Sequence, residues 1–237
     1  MKKTILCVLT LGFMSVGNAF AQKTIDGDMN HDGRLTVEDV SLLVQAILED
    51  KDPNEHDYVN LGLPSNTLWA TCNIGANKPE DRGYYFAWGE TETKDTYTWA
   101  TYFDSNDGEN FTTYKRGGKL SLLTEHDAAY QNWGEEWQMP SSTQMEELIN
   151  KCTWTWDESR FGYVVTGTNG NSIFMPVTSR RDDASNFDSS NYGYYLTRTL
   201  NEWTPTSAWI LSFNPSSAPR STVGDRYAGR AVRPVRR

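Results

Sequence analysis

Cysteine and histidine are scarce, three of each in 237 residues. Beyond the N-terminal apolar stretch, no run approaches the roughly 20 apolar residues needed to cross a bilayer. His31 has no second histidine or cysteine nearby, so a transition-metal site there is not expected. His56 and His126 lack a serine or cysteine motif that would make them catalytic bases; no G-x-S-x-G occurs, and Cys72 follows the apolar run LWAT. Cations are also few. With 22 Lys and Arg against 31 Asp and Glu, the formal charge is −9, which argues against nucleic acid or anionic membrane partners because both require a basic face. Arg230, Arg233, Arg236 and Arg237 do cluster near the C-terminus, where they read as a solvated or ion-paired end.

Aromatic residues are unevenly spread. All 9 tryptophans and all 12 tyrosines lie at or after Tyr58, and residues 22–57 contain neither. Four stretches follow from this shift. Residues 1–21 have the signature of a signal peptide: MKK is basic, TILCVLTLGFMSVG apolar, and Ala19 and Ala21 have the A-x-A spacing of a cleavage site. The expectation is a secreted protein, destined for the periplasm, the cell surface or the medium, with no membrane span. Loss of Lys2 and Lys3 would take the charge from −9 to −11. Residues 22–48 form a small module. Residues 49–57, EDKDPNEHD, read as a charged linker. Residues 58–237 suit one domain with a substantial core. The two cysteines beyond the signal, Cys72 and Cys152, leave open either a disulfide, stabilising by roughly 4 kcal/mol through closure of a loop of about 80 residues, or two buried thiols.

The small module contains DMNHDGRLTVED, residues 28–39. Asp28, Asn30 and Asp32 stand at places 1, 3 and 5 of a twelve-residue loop, Gly33 at place 6, Arg34 at 7, Thr36 at 9 and Asp39 at 12. Calcium takes six to eight hard oxygens, and a loop of this length supplies them from these places, with Arg34 contributing its backbone carbonyl and Thr36 acting directly or through water. Thr36 and Asp39 also have capping-box spacing, which predicts a helix starting there. Val37, Val40, Leu43, Val44, Ile47 and Leu48 give that helix one apolar stripe.

GDMNHDGRLTVEDVSLLVQAIL resembles one repeat of a type I dockerin, a family that also uses aspartate at place 12. The resemblance implies a bound Ca2+ and a cohesin-like scaffold as partner. Dockerins pair two such repeats, and only one is found here.

In the large domain, GYVVTGTNGNSIFMPV predicts a hairpin about Thr168, Asn169 and Gly170. YGYYLTRTL and SAWILSF predict two more strands joined by a loop holding Pro205. Thr124 with Asp127 predicts a helix ending near Gly134; Ser141 with Gln144 predicts another, with Met145, Leu148, Ile149 and Cys152 as its apolar face. The expected fold class is therefore α+β with long ordered loops.

Three blocks, NLGLPSNTLWATCNIGANKPEDRGYYFAWGET, NWGEEWQMPSSTQMEEL and RYAGRAVRPV, resemble the Fibrobacter succinogenes major paralogous domain across about residues 58–235. The middle block is also similar to formylglycine-generating-enzyme-like domains. The resemblance implies a C-type-lectin-like fold with two helices flanking a small twisted antiparallel sheet. It does not imply the enzyme's chemistry, since no cysteine follows Cys152, nor lectin-type calcium, since E-P-N, Q-P-D and W-N-D are all missing.

Three functions compete, one of them a structural or attachment component that needs no small ligand, with the calcium segment as a folding clamp beside a display domain. A noncatalytic binding module, recognising a glycan or surface protein, would use outward-facing aromatics: Trp99, Tyr102, Tyr192, Tyr194, Tyr195 and Trp203 are the candidates. Trp69, Trp88, Trp133 and Trp137 are assigned to the core. A glycosidase or accessory component of a polysaccharide-degrading assembly would need two carboxylates facing across a cleft. Adjacent acids such as Glu90 with Glu92, and Glu135 with Glu136, read better as solvated turns. The binding module is the favoured expectation.

Overall fold

The computed structural model describes residues 27–30, 33–48, 56–183 and 191–236. The expected signal peptide at 1–21, the linker residues 49–55, His31, Asp32 and Arg237 lie outside the described residues.

Local signals place the helices. Helix α1 (Val37–Leu48) begins where the Thr36/Asp39 spacing predicts. The Asp39 carboxylate accepts from the Thr36 amide at 2.6 Å and the Thr36 hydroxyl at 3.1 Å, while Thr36 Oγ1 accepts from the Glu38 amide. Helix α2 (Ala128–Trp133) starts later than expected, because Thr124–His126 forms a 3-10 turn and Asp127 is the cap. Asp127 accepts from the Ala129, Tyr130 and Met139 amides, so one carboxylate closes the helix start and ties it to the next segment. Gly134 ends α2 with φ of 92°. Helix α3 (Ser142–Lys151) has the predicted reciprocal cap: Gln144 N donates to Ser141 Oγ at 3.1 Å and Ser141 N to Gln144 Oε1 at 2.9 Å.

Three small antiparallel sheets complete the frame, giving a mixed architecture with few helices, consistent with α+β. The first joins β1 (Tyr58–Asn60), β2 (Leu68–Ala70) and β9 (Val235–Arg236), with β2 central, so the two ends of the large domain meet. The second is β3 (Thr153–Asp157), β4 (Gly162–Thr166) and β5 (Ser172–Pro176). The third is β6 (Gly193–Leu200), β7 (Ser207–Asn214) and β8 (Ser217–Asp225), centred on β7. The β4–β5 hairpin turns where Thr168, Asn169 and Gly170 predict, closed by Gly167 N donating to Asn171 O at 2.8 Å.

Two apolar clusters hold these sheets together. Met145 and Leu148 of α3 pack with Trp69, Val165, Met175, Tyr195, Leu211 and Phe213. Trp88, Phe86, Leu196, Ile210 and Val232 form the other with Ala128 and Ala129 of α2. Burial of such side chains contributes roughly 1.5–3 kcal/mol each.

The C-terminal arginines correct the expectation of a solvated or ion-paired end. Arg230 and Arg233 are buried in the core. Residues 228–235 run between the sheets, bridging Phe86, Arg181, Tyr195 and Gln138, and irregular loops supply them with carbonyls. Arg233 donates to Asn73 Oδ1, Ala70 O and Thr71 O; Arg230 donates to Asp225 O and Ala228 O. Burial depresses both pKa values, that of Arg230 to about 10. Arg236 follows the expectation, pairing with Glu136 at 2.9 Å. Among the described residues no helix is long and apolar enough to cross a membrane.

Candidate functional site

Asp28 and Asp39, the first and last places of the twelve-residue loop, are both buried, 9 % and 2 % exposed. Asp28 Oδ2 accepts from the Gly33 amide at 2.8 Å, and Asp39 Oδ1 accepts from Met29 N at 2.8 Å and Asn30 N at 3.4 Å. The turn between them needs glycine: Gly33 has φ of 79°, where a side chain is strained. The Asp39 carboxyl sits below the usual range, because the Thr36 amide, and then those of Met29 and Asn30, outweigh the opposing effect of burial. The carboxylates of Asp28 and Asp39 and the hydroxyl of Thr36 are oxygen donors of the kind a hard divalent cation takes. Asp32, the third carboxylate of the expected set, lies outside the described residues. Among the described residues no group of three or more His, Cys, Asp or Glu side chains gathers as a metal site. The helix that follows presents apolar residues outward: Val37, Val40, Leu42 and Val44 are all exposed, as is Leu35 in the loop before it.

The aromatic candidates divide. Tyr102 and Tyr195 are 4 % and 0 % exposed, which corrects their assignment to a ligand surface. The physical reason is hydrogen bonding. Each hydroxyl reaches a buried carbonyl at 2.6 Å, that of Trp88 for Tyr102 and that of Pro176 for Tyr195, so a polar tip does not require a surface position. Trp99 is half-buried against Tyr102, Phe111 and Tyr227. Tyr192 and Tyr194 are half-exposed and lie parallel, centroids 5.4 Å apart, with the Arg180 guanidinium 5.7 Å from the Tyr194 ring. Trp203 is 75 % exposed. Trp69, Trp88 and Trp137 are buried as assigned; Trp133 is half-buried, its outer face stacked on His56 at 3.6 Å.

Trp203 is held in position by its loop. Asn201 N donates to Ser207 O, Ser207 N to Thr204 O and Trp203 N to Asn201 Oδ1, closing a short connection between β6 and β7. A second exposed loop, Lys115–Lys119, lies against it. The chain enters this second loop at Tyr114 and leaves it at Leu120, whose carbonyl accepts from Leu200 N at 2.8 Å. At the other side, Arg226 Nη1 donates to Tyr114 O at 2.9 Å and to Pro205 O at 3.0 Å, so one buried guanidinium fastens both loops. Arg226 is in turn paired with buried Asp104 and lies 4.4 Å from the Phe111 centroid and 4.8 Å from that of Trp88. The Arg116 guanidinium comes to rest 5.6 Å from the Trp203 ring.

No family model, no curated protein and no solved structure matches this chain. Its function is therefore argued from its own residues.

Sequence reasoning selected Trp203 but missed the Lys115–Lys119 loop. A signal was there: KRGGK puts three cations into five residues of an acidic chain. The carboxylates weighed for hydrolysis have other partners or stand in solvent. Glu90 pairs with Lys94 at 2.7 Å, and burial raises its pKa against the pull of that ammonium. Glu92, Glu135 and Glu136 are exposed. His126 Nδ1 is 2.7 Å from the Tyr114 hydroxyl. Of the two states left open for the cysteines, the free thiols are found: Cys72 and Cys152 are half-buried, and burial pushes both pKa values up, that of Cys152 to about 11. Such thiols are poor nucleophiles.

Proposed function

We propose that the protein is a secreted, noncatalytic glycan-binding module with a calcium-stabilised, dockerin-like segment before a large domain of C-type-lectin-like fold. The observation that carries the binding role is Trp203, a large, rigid and exposed side chain on a loop closed by three hydrogen bonds. An indole face so held offers area to a sugar ring with little rotamer entropy left to lose. The parallel pair Tyr192 and Tyr194 provides a second aromatic surface. Small antiparallel sheets, two short helices and long loops in the large domain support the fold reading at a coarse level. The oxygen donors of Asp28, Asn30, Asp32, Arg34, Thr36 and Asp39 are those that would hold Ca2+, supplying charge neutralisation that orders the loop.

Trp203→Ala is expected to weaken retention on a bound polysaccharide by about 2 kcal/mol, roughly 30-fold. Because the side chain is exposed, stability should stay within about 0.5 kcal/mol of wild type. An array of host and plant polysaccharides, scored against a heat-denatured control, identifies the ligand and checks the variant. No retention of the wild-type chain on any of them removes the glycan reading.

A second reading is favoured by the exposed apolar residues of α1 together with Leu35 in the loop before it. On that reading the segment docks the chain onto a cohesin-like scaffold, as an accessory component of a polysaccharide-degrading assembly. A partner eluted by chelator would support it.

A further inference from the structure

Resting on the glycan reading, we propose that the ligand is an anionic polysaccharide, one bearing uronate or sulfate groups, and that Lys115, Arg116 and Lys119 recognise its charge beside Trp203. The chain as a whole carries −9, so a polyanion is repelled by most of its surface. The two adjoining loops are the exception: between them they carry three cations, Lys115, Arg116 and Lys119, and one acid, Glu202. All three cations are exposed.

Their position is built into the fold. Arg226 holds Tyr114 and Pro205 from below, and the Leu200 amide holds Leu120, so the cationic loop is pinned at both ends against the loop that carries Trp203. Between those anchors the chain makes a tight turn. Gly118 N donates to Lys115 O at 2.9 Å, and Gly117 has φ of 75° with open space around it, which turns the flanking cations toward solvent. The Arg116 guanidinium lies over the indole, while Leu120 adds exposed apolar area at the foot of the loop. A sugar ring could thus lie against the aromatic or apolar surface while its carboxylate or sulfate meets a guanidinium or ammonium, a charge-assisted contact that neutral sugars do not make.

The test uses the full chain with calcium present and affinity electrophoresis in gels containing polygalacturonate, carboxyl-reduced polygalacturonate or poly-glutamate. Wild type should be retarded by polygalacturonate at least tenfold more strongly than by the carboxyl-reduced polymer, and raising the salt from 50 to 500 mM should remove most of the difference. The triple variant Lys115→Gln, Arg116→Gln, Lys119→Gln should lose at least tenfold of the polygalacturonate retardation with an unchanged melting temperature. Trp203→Ala should lose a comparable amount. Equal retardation by the charged and reduced polymers overturns the anionic assignment while leaving the glycan reading standing. Equal retardation by poly-glutamate, insensitive to Trp203→Ala, overturns it in favour of an acidic protein partner. No retardation by any polymer, together with a blank glycan array, removes both readings.

Discussion

Asp104→Ala is expected to destabilise the large domain by about 3–5 kcal/mol, because it strands the Arg226 guanidinium in the core without its counter-charge. Both groups are fully buried. The loss extends beyond the ion pair. Asp104 also accepts from the Thr112 hydroxyl at 2.7 Å and from the amides of Thr113 and Tyr114 at 2.6 and 3.1 Å, and each would be left short of a partner. For a domain of this size the deficit is a fall in melting temperature of roughly 6–20 °C. Urea denaturation measures it directly, and a change below 1 kcal/mol would show that the pair contributes little. Because Arg226 fastens the Trp203 loop to the Lys115–Lys119 loop, glycan retention should fall as well, although Asp104 touches neither exposed side chain.

The same carboxylate gives the stability a pH dependence. Burial pushes the Asp104 carboxyl up, but the hydrogen bonds from Thr112, Thr113, Arg226 and Tyr114 outweigh burial and hold it below its ordinary value of 3.8. A group with a depressed pKa in the folded state contributes stability above its unfolded pKa, and that contribution is lost as pH falls through the folded value. Wild type should therefore lose melting temperature steeply below about pH 4. Asp104→Asn should show a lower plateau and a shallower acid decline.

Calcium is the second large effect. Adding the ion at one hundred times its dissociation constant should stabilise the N-terminal segment by about 2.7 kcal/mol, read as protection of residues 27–48 from proteolysis and as heat in calorimetry. Asp28→Ala or Asp32→Ala should push the dissociation constant past about 10⁻³ M, the weak end of such loops. Asp28 and Asp39 are each held by amides of the loop itself, and either substitution removes one carboxylate from the proposed ligand set. Unchanged isotherms in both variants would refute the ligand set. Chelator should expose the segment in wild type and leave the Asp32→Ala profile unaltered.

Legibility in the sequence followed the range of the interactions. The loop and α1 were readable because Thr36, Asp39 and Gly33 act on neighbours a few residues away. The same holds for the Ser141/Gln144 box of α3 and the hairpin after Gly167. The α2 start was misread by three residues, since Thr124 offers the right spacing but Asp127 also reaches Met139. Alternation in TWTWD marks β3. Tyr102 and Tyr195 were placed on the surface because nothing near them in sequence announces the distant carbonyls of Trp88 and Pro176.

By itself, the sequence determined the short-range architecture: a carboxylate-rich loop leading into a capped helix, a second capped helix, a tight hairpin, and an acidic chain whose tryptophans and tyrosines all lie beyond residue 57. Only the tertiary structure decided which aromatics face solvent, that Arg230 and Arg233 lie inside rather than at a solvated end, that Arg226 is buried against Asp104, and that KRGGK stands beside Trp203. A capping box or a glycine turn is closed by atoms within a few residues, so its pattern is written in one stretch. A buried guanidinium or a two-loop platform depends on carbonyls and rings brought from remote parts of the chain, and no local spacing records that they will meet.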